Sequence, residues 1–296
     1  MDLRSVFPPM PTPFLDGNVD VRAIRTNVAR WIGAGLGGVV ALGTNGEAAL
    51  LDEDESDAVV GAARDAVPRD RTLVAGVGRE STRATIAAAR RAAALGADAV
   101  LVRTPSLYRA QISAAAMARH FTAVADASPV PVLLYNYPAF TGVSMTADVI
   151  GQLAAHPNVA GMKETSNDGG QFADVAAAVP DRFVLLAGSA PGLYAALCAG
   201  ASGAILAVAC VAPDACLRLF DFVRQGRHAD ALALQQRLNP LARAVTAKFG
   251  IGGLKAAMDL AGYVGGEPRA PLSAPPPDAI DWLSRELSAM ALATHA

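Results

Sequence analysis

The sequence predicts an α/β fold, a (β/α)₈ TIM barrel with a C-terminal helical extension. Three observations carry this. Eight short apolar segments of strand character alternate with Ala-rich stretches of helical spacing, which argues for parallel βαβ units. The strand segments are near-continuous apolar runs, as parallel strands covered on both faces require. After about Ala209 the alternation stops and only helices follow. Residues 1–210 are thus read as the barrel and 211–296 as a helical region packed on it within the same domain. A doubly wound open sheet is the alternative that the same alternation allows.

In chain order, the strands are expected at Phe7–Thr12, Gly38–Leu42, Thr72–Val77, Ala99–Arg103, Pro131–Asn136, Val159–Lys163, Phe183–Ala187 and Ala204–Val208. Helices are expected between them at Val21–Ile32, Glu53–Ala66, Thr82–Leu95, Ala114–Ala127, Thr146–Ala155, Gly170–Ala178 and Gly192–Ala199. Asp52-Glu53-Asp54-Glu55 reads as a solvated helix start favoured by the helix dipole. Gly33-Ala34-Gly35-Leu36-Gly37-Gly38 satisfies a G-x-G-x-x-G pattern, but it follows a helix and precedes a strand. A dinucleotide fingerprint needs the reverse order, so this run is read as a helix C-cap and tight turn. The extension is expected as helices Pro213–Arg224, Ala229–Thr246, Leu254–Ala261 and Asp278–Ala293.

Composition excludes several classes. The net charge is −2 and the arginines are scattered among acids, so no nucleic-acid surface is expected. No stretch of eighteen unbroken apolar residues suggests a membrane span. The early apolar segment is broken by prolines and does not read as a signal peptide, and the odd cysteine count without a C-x-x-C pair leads to the expectation of a reducing, cytoplasmic setting. Cys198, Cys210 and Cys216 form no C-x-x-C pair and are expected to be small buried hydrophobes. The four histidines share no ligand spacing. No metal and no cofactor is expected.

Lysine is the informative residue. Of 25 basic residues only Lys163, Lys248 and Lys255 are lysines. Lys163 closes Val159-Ala160-Gly161-Met162-Lys163. A primary amine at the mouth of an apolar interior loses hydration, which favours its neutral, nucleophilic form. Strand parity lets Lys163 point inward with Gly161 while Met162 faces the helices, and it puts Tyr135 inward with Leu133. Backbone N–H groups around Thr44, Asn45 and Gly46 suit a carboxylate. Lys163 would attack the ketone of a 2-oxo acid, Tyr135 would pass protons, and the Thr44 hydroxyl would complete a relay to Tyr135.

These residues resemble the dihydrodipicolinate synthase/N-acetylneuraminate lyase family of class I aldolases. The marks are Thr12-Pro13-Phe14 with Asp16-Gly17, Gly43-Thr44-Asn45-Gly46-Glu47, Thr104-Pro105, Tyr135-Asn136-Tyr137-Pro138, Lys163-Glu164 and Ala187-Gly188-Ser189. The resemblance implies a Schiff-base lysine at Lys163, a proton shuttle at Tyr135, and carboxylate and relay contacts at Thr44 and Asn45. It implies that the Ile205 backbone lines a pyruvate pocket, and that Gly46, Thr165, Gly188, Phe140 and Tyr108 complete the substrate contacts. It also implies a homotetramer, a dimer of dimers. Two positions depart from dihydrodipicolinate synthase: Phe140 stands where that enzyme carries an Arg for its aldehyde substrate's carboxylate, and Leu107 stands where it carries a relay Tyr.

Within the family the sequence is most similar to 4-hydroxy-2-oxoglutarate aldolase. The marks include Glu80-Ser81-Thr82, His156-Pro157-Asn158 and a C-terminal run from Ala244 to Leu272. The expected substrates are pyruvate and an aldehyde, or a 4-hydroxy-2-oxo acid. The alternatives are dihydrodipicolinate synthase itself, a 2-keto-3-deoxy sugar-acid aldolase, or a sensor that binds pyruvate-like acids without turnover.

Overall fold

The computed structural model of the chain describes residues 1–166 and 168–295. Its strands are β1 (Val6–Phe7), β2 (Phe14–Leu15), β3 (Asn18–Val19), β4 (Gly38–Ala41), β5 (Thr72–Gly76), β6 (Ala99–Arg103), β7 (Val132–Asn136), β8 (Val159–Glu164), β9 (Val184–Ala187) and β10 (Gly203–Ile205). The helices of the first part are α1 (Val21–Gly33), α2 (Glu53–Ala66), α3 (Thr82–Ala94), α4 (Ala114–Ala127), α5 (Pro138–Thr141), α6 (Ala147–Ala154), α7 (Gly169–Ala178) and α8 (Leu193–Cys198). The extension holds α9 (Pro213–Arg224), α10 (His228–Arg243), α11 (Gly250–Leu260) and α12 (Pro277–His295). Strands β2 and β3 form a separate small antiparallel hairpin.

The other eight strands form one parallel sheet in the order β1-β10-β9-β8-β7-β6-β5-β4. The sheet closes through the segment after β1: the Val40 N–H donates to Pro8 O and the Met10 N–H to Val40 O, each at 3.0 Å. The expected first strand, Phe7–Thr12, is therefore real as a barrel stave but regular only at Val6–Phe7. Pro8, Pro9 and Pro11 have no N–H to give a ladder.

Further boundaries differ, and α11 begins at Gly250 rather than the expected Leu254. The expected strand Ala204–Val208 ends at Ile205, and the chain turns into a 3₁₀ coil over Ala207–Cys210. The expected helix Ala229–Thr246 gives way at Ala244 to a π-turn, Ala244–Lys248. The short helix α5 and the β2–β3 hairpin were not expected.

Local chemistry explains the βα joints. Asp20, Asp52, Ser81, Ser113, Thr146 and Asp168 each cap the helix that follows, accepting from its first N–H groups. Asp52 and Glu55 form a reciprocal capping box, so the acidic run is a helix start, as read from the sequence. Gly35 takes φ +92° after α1, and Gly38 takes φ +152° at the start of β4. A Cβ on Gly38 would lie 1.8 Å from Thr72 O.

Strand parity sorts the core into two layers. Phe7, Val40, Val74, Leu101, Leu133, Tyr135, Val184, Leu186 and Ile205 pack together inside the barrel. Val39, Leu73, Val102, Leu134, Met162, Leu185 and Leu206 pack outward against the helices. Cys210 and Cys216 are buried as expected, but Cys198 is exposed. The short α8 buries only Leu193 and Ala196, and Cys198 falls on its other side. No described helix is long and apolar enough to cross a membrane.

Candidate active site

Register carries three inward side chains across neighbouring strands at one level. Arg103 of β6 pairs with Tyr135 of β7, and Tyr135 pairs with Lys163 of β8. In a parallel barrel, paired residues share a face. Inward Leu133 and outward Met162 fix that face as expected.

Lys163 is buried, and its Nζ lies 3.3 Å from Tyr135 Oη and 4.4 Å from the centre of that ring. Burial lowers its pKa from 10.5 to about 7, against a small opposing effect from the Cys210 thiol. Tyr135 Oη in turn stands 3.3 Å from Thr44 Oγ1. Burial pushes the phenol up to about 12, while the Thr44 and Thr165 hydroxyls pull the other way. At neutral pH the site thus holds an amine with a substantial neutral fraction beside a protonated phenol.

The other lysines separate cleanly from this one. Lys255 is fully buried but ion-paired: its Nζ lies 2.6 Å from Glu47 Oε1 and donates to Glu267 O at 2.8 Å. Lys248 lies over the rings of Phe249 and Trp282, 4.7 and 4.4 Å from their centres. The carboxylate adjacent to Lys163 in sequence is engaged elsewhere. Glu164 accepts from Asn136 Nδ2 at 2.8 Å and from the Ser166 N–H at 2.7 Å.

Thr44, Asn45 and Gly46 form one 3₁₀ turn at the end of β4. The Gly46 N–H is taken by Gly43 O at 3.0 Å, and Gly46 O by Thr12 Oγ1 at 2.7 Å. Gly46 therefore has no N–H to offer, contrary to expectation. The N–H groups of Thr44 and Asn45, at the open end of the turn, are the ones left for an anion. Gly188 is required where it stands. A Cβ there would lie 2.1 Å from Thr165 Oγ1, 2.8 Å from Glu164 O and 3.0 Å from Lys163 Cε. Thr165 Oγ1 is buried beside the Tyr135 phenol. The Ile205 side chain packs inside the barrel.

A cavity of about 420 Å³ opens at Thr44 and Tyr135, and Lys163, Thr165, Gly188 and Ile205 are not among the residues that line it. Thr44 and Tyr135 form part of its floor; Arg79, Arg103, Tyr137 and Phe140 form walls, and Pro271 and Leu272 of the extension border it. Phe140 is 69% exposed and packs edge-on against Tyr137, with ring centres 4.5 Å apart. Tyr108 does not reach the cavity within one chain, because it is 65% exposed on the loop after β6. Sequence reasoning missed Arg79 and Arg103, although the parity argument that found Tyr135 applies equally to Arg103. Among the described residues no cluster of His, Cys, Asp and Glu has the makings of a metal site.

A sequence profile of the dihydrodipicolinate synthetase family matches residues 2–289. A probable mitochondrial 4-hydroxy-2-oxoglutarate aldolase from Emericella nidulans is 37% identical over 265 residues, 87% of this chain and 85% of the relative. A 4-hydroxy-tetrahydrodipicolinate synthase from Xanthomonas campestris is 38% identical over 240 residues, 81% of this chain and 79% of the relative. Among solved structures, a prophage protein of the dihydrodipicolinic acid synthase family from E. coli K12, in complex with pyruvate, superposes with a TM-score of 0.90. That protein is 29% identical, and the match covers 97% of this chain and 98% of the other. The barrel, the inward lysine and these likenesses agree: the chain belongs to the dihydrodipicolinate synthetase family and is an enzyme of its class I aldolase/lyase type.

Proposed function

We propose that the protein is a Schiff-base aldolase that cleaves a 4-hydroxy-2-oxo acid, 4-hydroxy-2-oxoglutarate foremost, to pyruvate and an aldehyde. The observation that carries this reading is the buried Lys163 amine, without a carboxylate partner among the described residues and 3.3 Å from Tyr135 Oη, which in turn contacts Thr44. The neutral Nζ adds to the C2 carbonyl, and Tyr135 supplies the proton with which the carbinolamine hydroxyl leaves as water. The imine then draws in the electron pair of the C3–C4 bond as the C4 hydroxyl loses its proton. The aldehyde departs and leaves the enamine of pyruvate. Protonation at C3 and hydrolysis release pyruvate and regenerate Lys163. The Thr44 and Asn45 N–H groups are the proposed holders of the C1 carboxylate, and Gly188 and Thr165 keep the space around the Lys163 stem.

Phe140 favours cleavage of this acid over condensation with aspartate semialdehyde, since its ring offers no charge to that substrate's distal carboxylate. Leu107 and Tyr108, 70% and 65% exposed on one loop, suit coverage by another subunit in a tetramer. The test has two parts. Pyruvate with borohydride should add one reduced pyruvate at Lys163, and Lys163→Ala should abolish the adduct; labelling at Lys248 or Lys255 instead would refute the assignment. The ratio of kcat/KM for 4-hydroxy-2-oxoglutarate cleavage to that for semialdehyde condensation should exceed one. A tenfold preference for the semialdehyde would reverse the substrate reading.

A further inference from the structure

From the row Lys163–Tyr135–Arg103 we infer that Arg103 is the specificity-determining residue of the cavity, binding a carboxylate carried directly on the substrate's carbinol carbon. This deepens the aldolase reading above and rests on it. The three residues sit side by side on β8, β7 and β6, in register. Adjacent strands are about 4.8 Å apart. The order matches that of a 4-hydroxy-2-oxo diacid: C2 at the amine, the C4 hydroxyl by the phenol, the C5 carboxylate at the guanidinium.

Arg103 is built for the task. A Cβ on Gly78 would lie 2.6 Å from Arg103 Cγ and 2.8 Å from its backbone N, so the glycine makes room for the arginine stem at the cavity wall. Glu80 steadies the head group: Arg103 Nη2 donates to Glu80 Oε1 at 2.8 Å. Glu80 is itself fixed by the Ser106 and Leu107 N–H groups, each at 2.9 Å. Burial opposes its ionisation, but those two N–H groups and Arg103 outweigh it and bring its pKa to about 2. Arg103 Nη1 donates to Thr104 O at 3.1 Å and to Ser106 Oγ at 3.4 Å. A guanidinium has five N–H donors. Among the described residues, the Nε–H and one further N–H of Arg103 remain for a ligand.

The neighbouring walls offer no equal. Arg79, which gives Nε and Nη2 to Glu53 at 3.3 Å each, stands on the loop after β5, outside the row in register with Lys163. Phe140 is apolar, and Glu47 is spent on Lys255. A carboxylate one bond from the reacting carbon falls within reach of Arg103; a longer or neutral tail does not gain from it.

The test compares 4-hydroxy-2-oxoglutarate with 4-hydroxy-2-oxopentanoate, in which a methyl replaces the distal carboxylate. Wild type should prefer the diacid. Arg103→Gln should lower the ratio of the two kcat/KM values by about ten- to a hundredfold, the worth of a charge-assisted hydrogen bond. Arg103→Lys, which keeps the charge but loses the fork, should lower it less. An unchanged ratio in both variants, whether or not both rates fall, assigns Arg103 a purely structural role and overturns the inference. So does a wild type that favours the methyl analogue. Failure of wild type to form a pyruvate imine at Lys163 would instead overturn the aldolase reading, and the inference with it.

Discussion

Replacing Lys255 by Met should destabilise the protein severely while leaving its packing volume nearly unchanged. Lys255 and Glu47 are both fully buried, 2.6 Å apart, and lie 208 residues apart in sequence. Met keeps the length of the lysine stem and removes only the ammonium. Glu47 Oε2 then retains the Arg269 N–H at 2.7 Å, but Oε1, on a fully buried side chain, loses its cation. Breaking a buried pair from one side costs about 3–5 kcal/mol, because a desolvated charge is left behind. At about 2–4 °C per kcal/mol for a domain of this size, Tm should fall by roughly 6–20 °C. The double variant Glu47→Gln/Lys255→Met removes both charges and should recover more than half of the loss, a coupling that a double-mutant cycle reads directly. Urea unfolding followed by circular dichroism supplies the measurement. A cost below about 1 kcal/mol for Lys255→Met, or a double variant no more stable than the single one, would refute the reasoning. Glu47 stands at φ +56°, directly after the Thr44–Gly46 turn. Imine formation should therefore slow in Lys255→Met and recover in the double variant.

Other outcomes follow from the same geometry. Because the neutral amine attacks, the rate of pyruvate trapping should climb about tenfold per pH unit below about 7 and level off above it; a profile that still climbs toward 10.5, the ordinary lysine value, would show that Lys163 is not desolvated. Tyr135→Phe keeps the ring and removes the proton carrier, so aldol turnover should fall by roughly 10²–10⁴. Trapping with pyruvate should slow less, and wild-type turnover would exclude the shuttle. Gly188→Ala drives a methyl into Thr165 Oγ1 and toward Lys163 Cε. Imine formation should drop at least about tenfold, since small displacements of reacting groups are costly; a wild-type trapping rate would mean that the strand end yields without moving the amine.

Most of the barrel and the heart of the candidate site were legible because parallel strands impose a period of two, and register repeats that period from strand to strand. Once Gly161 is inward, Lys163 must be inward too, and pairing carries the face to Tyr135 and Arg103. Where hydrogen-bond donors are missing, as along Pro8, Pro9 and Pro11, the stave exists without a regular ladder. Loops obey no such period. The Gly46 N–H looked free in sequence and is consumed by its own turn, because a 3₁₀ coil closes one bond after three residues. The fate of Tyr108 depends on what covers the loop after β6, which local sequence does not state. The Glu47–Lys255 pair joins the turn between β4 and α2 to the C-terminal extension, and no local pattern announces a contact of that span. Lysine scarcity narrowed the nucleophile to three, yet two of those three, Lys163 and Lys255, are buried. What distinguishes Lys163 among the described residues is the group beside it: a buried lysine facing a carboxylate, as Lys255 faces Glu47, is held in its charged form, whereas one facing a phenol can give up its proton and attack.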